Sequence, residues 1–222
     1  MKSFIIYVKG YEKSEQYANV VLQSCKNSGF NAELLEGITP DTIHEYEQYP
    51  EIEGGRATFF KAQNTRKYMI KKSCFTNNVR VWKKCIELDE PVAFIEHDSY
   101  CVRDWDNPSF KELLVLNIDS AFKQPVFSDL QTKPNFSLGQ AVYKNSPLVY
   151  NKENLWKGYS MIPGTAAYAI TPKGAKKLLH NLSKYGWDQS DYFINRFNVH
   201  IEYRIPEYFT FKLKNLNMSH GY

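Results

Sequence analysis

The chain has 222 residues, enough for one large domain or two small ones, and buries roughly 70% of its unfolded surface without needing staples. Its 43% hydrophobic and 15% aromatic content excludes a disordered chain. A net charge of +4 is far below that of a dedicated nucleic-acid coat; on its own it reads as a solubility charge, and it would also help hold an anionic small ligand.

Ser3 to Val8 is a short apolar run and reads as a buried strand. Ser14 is placed to cap a helix through about Asn27, with Tyr17, Val20, Val21, Ser24 and Cys25 inward and Gly29 as its stop. Asn31 to Ile38 reads as a second strand. This β-α-β opening predicts an α/β fold, a mixed and mainly parallel sheet with helices on both faces. Residues 43–72 are charged and irregular, with Pro50 and Gly54-Gly55; they predict a loop, either a lid or a surface insertion. Thr76 to Leu88 has helical spacing at Val79, Trp82, Cys85 and Ile86, and Pro91 to Ile95 follows as a buried strand. Residues 113–118 and 125–128 read as strands. Residues 129–160 are polar with little periodicity and predict an acceptor-side region. Tyr168 to Ile170 is a strand, and Thr171-Pro172 starts a helix to about Lys184. Trp187 to Phe197 predicts a short helix, then 201–203 and 208–212 late strands. No repeat divides the chain, so residues 1–222 are expected to form one domain.

The four cysteines form no CxxC pair and no zinc spacing with a His, so buried free thiols and a reducing compartment are expected. The opening apolar run is too short for a signal peptide, and no stretch reaches the roughly 18–20 apolar residues of a membrane span. A soluble, cytoplasmic protein is expected.

Glu96-His97-Asp98 follows directly on a buried strand, at the carboxyl edge where open α/β sheets bind ligands. Two carboxylates one residue apart can share a hard cation such as Mn²⁺ or Mg²⁺ and bridge it to phosphate oxygens. A solvated strand end has the same spacing. Gly164 and Thr165 lie in a small-residue turn whose backbone can approach a phosphate or a sugar hydroxyl. Asp188 and Asp191 offer a carboxylate base for an acceptor hydroxyl, or a helix cap. His220, near the chain end, is either a frayed tail or a further metal ligand. Lys9, Lys13 and Lys72 can add charge toward a diphosphate.

Four blocks in order resemble glycosyltransferase family 25: IIYVKG through GFNAELLEGITPDT, CFTNNVRVWKKCIELDEPVAFIEHDS, PGTAAYAITPKGAKKLL, and WDQSDYFIN. The resemblance implies a GT-A-like nucleotide-sugar-binding domain. It implies a metal on Glu96 and Asp98, joined by His220. It implies a base or acceptor contact at Asp188 or Asp191, and donor contacts at Gly164 and Thr165; Asn77 is a further donor-binding candidate. The chain departs from the family at His97, which stands where the middle acid is usual. It departs again at Thr76-Asn77, which replaces a Ser-His, and after the first strand, where Lys9, Tyr11, Glu12 and Lys13 replace an Arg-bearing stretch.

The expected activity is metal-dependent transfer from a nucleotide-sugar, in the first place a UDP-sugar, to a glycan or other hydroxyl acceptor. A composition rich in Lys, Asn, Tyr, Ile and Phe also resembles phage-encoded transferases that act on hydroxymethylated pyrimidines in DNA, in the host cytoplasm. Tyr143, Lys144, Tyr150, Lys152, Trp156 and Lys157 would then supply phosphate and stacking contacts. Two rivals stand beside these. One is an inactive nucleotide- or sugar-binding module. The other is a nucleotidyltransferase, for which VKGYEK is a poor phosphate loop.

Overall fold

The structure is a computed structural model that describes residues 1–118, 138–142 and 165–210. Strand β1 (Lys2–Tyr7) leads into helix α1 (Glu12–Asn27) and strand β2 (Asn31–Glu36). Helices α2 (Arg56–Gln63) and α3 (Thr65–Leu88) follow, then strand β3 (Val92–Glu96) and the short strands β4 (Tyr100–Cys101) and β5 (Leu113–Val115). After β6 (Gly139–Val142) and β7 (Ala167–Ile170) come α4 (Pro172–Tyr185), the single turn α5 (Ser190–Phe193), β8 (Ile201–Ile205) and β9 (Phe209–Thr210).

Seven strands form one sheet in the order β2-β1-β3-β7-β5-β8-β6. β1 pairs parallel with β2 and β3, and β5 pairs parallel with β8, while β7 and β6 run against their neighbours. Five of the seven strands therefore share one direction. The expected mixed, mainly parallel sheet is present.

Alternation along the strands builds a core on each face. Phe4 and Ile6 of β1 and Phe94 of β3 pack on Val79, Trp82 and Cys85 of α3 and on Leu178 and Leu182 of α4. Ile5, Ala93 and Ile95 face the other way, onto Ala18, Val21 and Cys25 of α1. Inside the first core the Trp82 indole N–H donates to the Tyr168 hydroxyl at 2.8 Å, which donates to Asn78 Oδ1 at 2.7 Å. The Asn78 amide then donates to Ser190 Oγ at 3.1 Å, carrying the chain of polar contacts outward. Gly174 lets α4 sit directly on the sheet: a Cβ there would lie 2.5 Å from the Glu112 carbonyl oxygen.

Several boundaries differ from the sequence expectations. The first helix begins at Glu12, and Ser14 does not cap it; buried within the first turn, Ser14 Oγ accepts the Val8 N–H at 2.8 Å. Val20 of α1 is exposed. Residues 43–72 are not one loop. They hold a 3₁₀ turn at Ile43–Glu45, all of α2 and the start of α3, whose N-terminus Asn64 caps by accepting the Lys67 N–H at 3.0 Å. The strand expected over 113–118 covers three residues, and the helix expected over 187–197 shortens to α5. The polar region 129–160 contains β6, an edge strand on β8; its other described residue is Leu138. β9 leaves the main sheet and pairs with β4. The strand expected at 125–128, the residues Gly164 and His220, and the aromatic and basic residues of 143–157 lie outside the described residues.

All four cysteines are free. Cys25, Cys85 and Cys101 are buried as expected, but Cys74 is exposed. Among the described residues no helix is long and apolar enough to cross a membrane.

Candidate active site

Parallel strands β1, β2 and β3 deliver their carboxyl ends to one edge of the sheet, and a cavity of about 380 Å³ opens there. Ile6, Val8 and Lys9 at the end of β1, with Gly37, Ile38 and Thr39 after β2, form one wall. Arg66, Ile70, Lys71, Cys74 and Asn77 of α3 form a second, at spacings that keep them on one helical face. Glu96, His97 and Asp98 close the third side together with Thr165, Gln189 and Asp191.

Local hydrogen bonds bring the acidic residues together. The Glu96 N–H donates to the Ala166 carbonyl at 2.7 Å, and the Ser99 N–H closes the turn onto the Glu96 carbonyl at 3.1 Å. One residue earlier, the Thr165 N–H and Oγ1 both donate to Asp191 Oδ1, at 3.2 and 3.0 Å. Thr165 and Ala166 thus couple Asp191 to the triplet across 95 positions of sequence (191 − 96). Small residues suit this link, because two backbones and a carboxylate converge on it.

The electrostatics follow from that convergence. Burial holds the Glu96 carboxyl well above the usual carboxylate range, and Asp98 and Asp191 add like-charge repulsion, while Lys71 opposes them. Asp98 is also raised by burial, against the pull of His97. His97 is lowered by burial, against Asp98 and a hydrogen bond to the Ile6 backbone. Cys74 opens onto the cavity, and desolvation in that recess pushes its thiol up to about 11, with Glu96 contributing.

These groups fit a cation that is shared with a ligand. Asp98 Oδ1 and His97 Nε2 are buried without hydrogen-bond partners, a cost that a ligand can relieve. Among the described residues no three His, Cys, Asp or Glu side chains make a complete metal cage. Mg²⁺-type ions rarely need one, since one or two carboxylates plus substrate phosphates hold them. Glu96 and Asp98 would be those carboxylates, and the cation would neutralise charge on a departing diphosphate.

The other expected site residues divide. Thr165 and Asp191 reach the cavity, as does Lys9, which also pairs with Glu36 at 3.3 Å. Asn77 lines the cavity, but its amide is committed to the chain after β2. Oδ1 accepts the Ile38 N–H at 2.7 Å and Nδ2 donates to the Ile38 carbonyl at 3.1 Å. Asp188 is fully buried and is not on the cavity wall. It does not cap α5, the helix that follows it. It caps α2, accepting the N–H groups of Arg56 at 3.2 Å and Ala57 at 2.9 Å, and that of Gln189 at 2.8 Å. Neither Lys13, exposed on α1, nor Lys72, which feels the charges of Glu51 and Lys61, lines the cavity. The neighbouring Lys71 takes the inward place.

A family model for glycosyltransferase family 25, described as LPS biosynthesis protein, matches residues 3–194. The chain belongs to glycosyltransferase family 25. The match runs from β1 through α5 and so includes every described wall of the cavity. As a family 25 glycosyltransferase the protein moves a sugar from a donor to an acceptor. No curated protein matches the chain.

Sequence reasoning missed Arg66, Lys71, Cys74 and Gln189. The first three lie ahead of Thr76, where the expected helix starts, so only the observed helix from Thr65 gives the phase that places them inward. Gln189 lies between two aspartates, and a lone amide carries no sequence signal of its own. Its Nε2 is buried on the cavity wall without a partner, a donor ready for a ligand oxygen.

Proposed function

We propose that the protein transfers a sugar from a nucleoside diphosphate donor, in the first place a UDP-sugar, to a hydroxyl of a glycan. The observation that carries this is the convergence of Glu96, Asp98 and Asp191 with Lys71 at one cavity. Glu96 and Asp98 would hold Mn²⁺ or Mg²⁺, which would supply counter-charge for the donor diphosphate, and Lys71, Arg66 and Lys9 add fixed positive charge toward the phosphates. Asp191 is oriented by Thr165, and its second oxygen has no partner among the described residues; it takes the acceptor proton. Gln189 donates to a sugar oxygen. The lipopolysaccharide wording of the family description supports a glycan acceptor.

A panel of nucleotide-sugars with and without Mn²⁺ tests the donor side. Metal-dependent release of a nucleoside diphosphate from one of them is expected, followed by transfer to surface-glycan acceptors. Transfer only to hydroxymethylcytosine DNA would move the acceptor to nucleic acid. Nucleotide binding with no turnover of any donor would make the domain a binding module.

A further inference from the structure

We infer that the α2–α3 corner is a docking surface for an anionic lipid membrane, placed so that the cavity faces a membrane-borne acceptor. Between Glu53 and Glu87 the chain carries nine Lys and Arg and no Asp or Glu. The fold gathers part of this run around two rings. Phe59 is 45% exposed, with Phe60 edge-on at 5.6 Å. The Arg56 guanidinium lies 5.0 Å from the Phe59 ring centre, and the ammonium groups of Lys67 and Lys71 lie 4.9 and 5.9 Å from that of Phe60.

Charge complementarity selects the occupant. Among the described residues, Arg56, Arg66, Lys67 and Lys71 make no ion pair with a carboxylate within 4.0 Å, whereas Lys61 and Lys83 do, with Glu51 and Glu47. An exposed ring among unpaired cations on a short helix is the arrangement that sits at a headgroup boundary, the ring entering and the cations meeting anionic lipid. A nucleic-acid strand would need open ring faces for stacking, and the Arg56 guanidinium lies over Phe59. The corner is continuous with the site: Arg66, Ile70 and Lys71 also line the cavity. A docked membrane would therefore bring a lipid-linked hydroxyl to the mouth of the cavity. The docking itself does not depend on the proposed donor or cation.

Co-sedimentation of the whole chain with phosphatidylglycerol–phosphatidylcholine vesicles tests this. Binding is expected that weakens with salt and vanishes with phosphatidylcholine alone. Lys67→Gln should weaken it about five-fold, and Phe59→Ser roughly ten-fold. Neither residue lines the cavity, so both variants should keep wild-type nucleotide binding, which also shows that they fold. Absence of binding to the anionic vesicles at low salt would overturn the proposal, and so would undiminished binding by the double variant. Salt-sensitive binding of single-stranded DNA, lost in the same variants while vesicles are ignored, would overturn it in favour of a nucleic-acid surface.

Discussion

Replacing Glu96 with Gln is expected to make the metal-free protein more stable and the enzyme nearly inactive. Glu96 shares a buried corner with Asp98 and Asp191, and burial and both neighbours disfavour its charged form. Its folded-state value is raised above the ordinary 4.5. The folded state therefore loses stability as pH rises through the unfolded value, and that loss is complete above the folded one. Gln carries no charge to desolvate. In EDTA at neutral pH, Glu96→Gln should raise Tm by about 2–4 °C, the shift that about 1 kcal/mol gives in a chain of this size. The gap between variant and wild type should close as pH falls below about 4.5. Turnover should fall by about 100–1000-fold, because the charge on the leaving diphosphate loses its counterweight. Thermal melts across pH, beside turnover at saturating Mn²⁺, check both halves. A variant less stable than wild type in EDTA would show that Glu96 is held by favourable contacts and not strained by repulsion.

The two late aspartates should separate just as sharply. Asp188→Ala removes the cap of α2 and leaves the Arg56 and Ala57 N–H groups unpaired in a buried place. A cap is worth about 1 kcal/mol and each unmet buried donor about 1–3, so a loss of about 3 kcal/mol is expected, on the order of 10 °C in Tm. Asp191→Asn keeps an acceptor for Thr165 and should leave Tm within about 2 °C. Its kcat should fall by about 100-fold to 10,000-fold, with donor affinity unchanged. Melting curves and kcat on the same preparations decide it. If Asp188→Ala folds normally and loses turnover, the roles assigned to the pair are reversed.

The sheet was legible because its signals are local. PVAFI reads as a buried strand on its own, and Thr171-Pro172 announces α4 by a capping hydroxyl that the structure shows accepting the Gly174 N–H at 3.2 Å. The start of α3 was not legible in the same way. Its first turns are crowded with Arg66, Lys67, Lys71 and Lys72, and only Tyr68, Ser73 and Phe75 of residues 65–75 are buried, too sparse a stripe to outweigh Gly54-Gly55 nearby. Asn64 was the available sign, a capping residue just ahead of the helix. In the site, Glu96 and Asp98 could be read from their place after a strand. Asp188 and Asp191 could not be told apart, because the helix that Asp188 caps lies more than 130 positions away. Without a helical phase the sequence does not separate Lys71 from Lys72, and one residue turns a side chain by about 100°.

His97 sits in the same acidic corner. Its ring is buried beside Asp98, hydrogen-bonded to the Ile6 backbone, with Nε2 unpartnered on the cavity wall. It adds no charge to a corner where Glu96 and Asp98 already strain, which a third acid there would do.

Glu96 and Asp98 would hold a divalent cation against a donor diphosphate. Titration calorimetry of UDP into the protein, in EDTA and in Mn²⁺, measures this directly. Binding should tighten by at least about ten-fold with Mn²⁺ in the wild type, and Mn²⁺ should have no such effect in Asp98→Ala. Equal UDP affinity with and without the metal, or a Mn²⁺ effect that survives in Asp98→Ala, would contradict it.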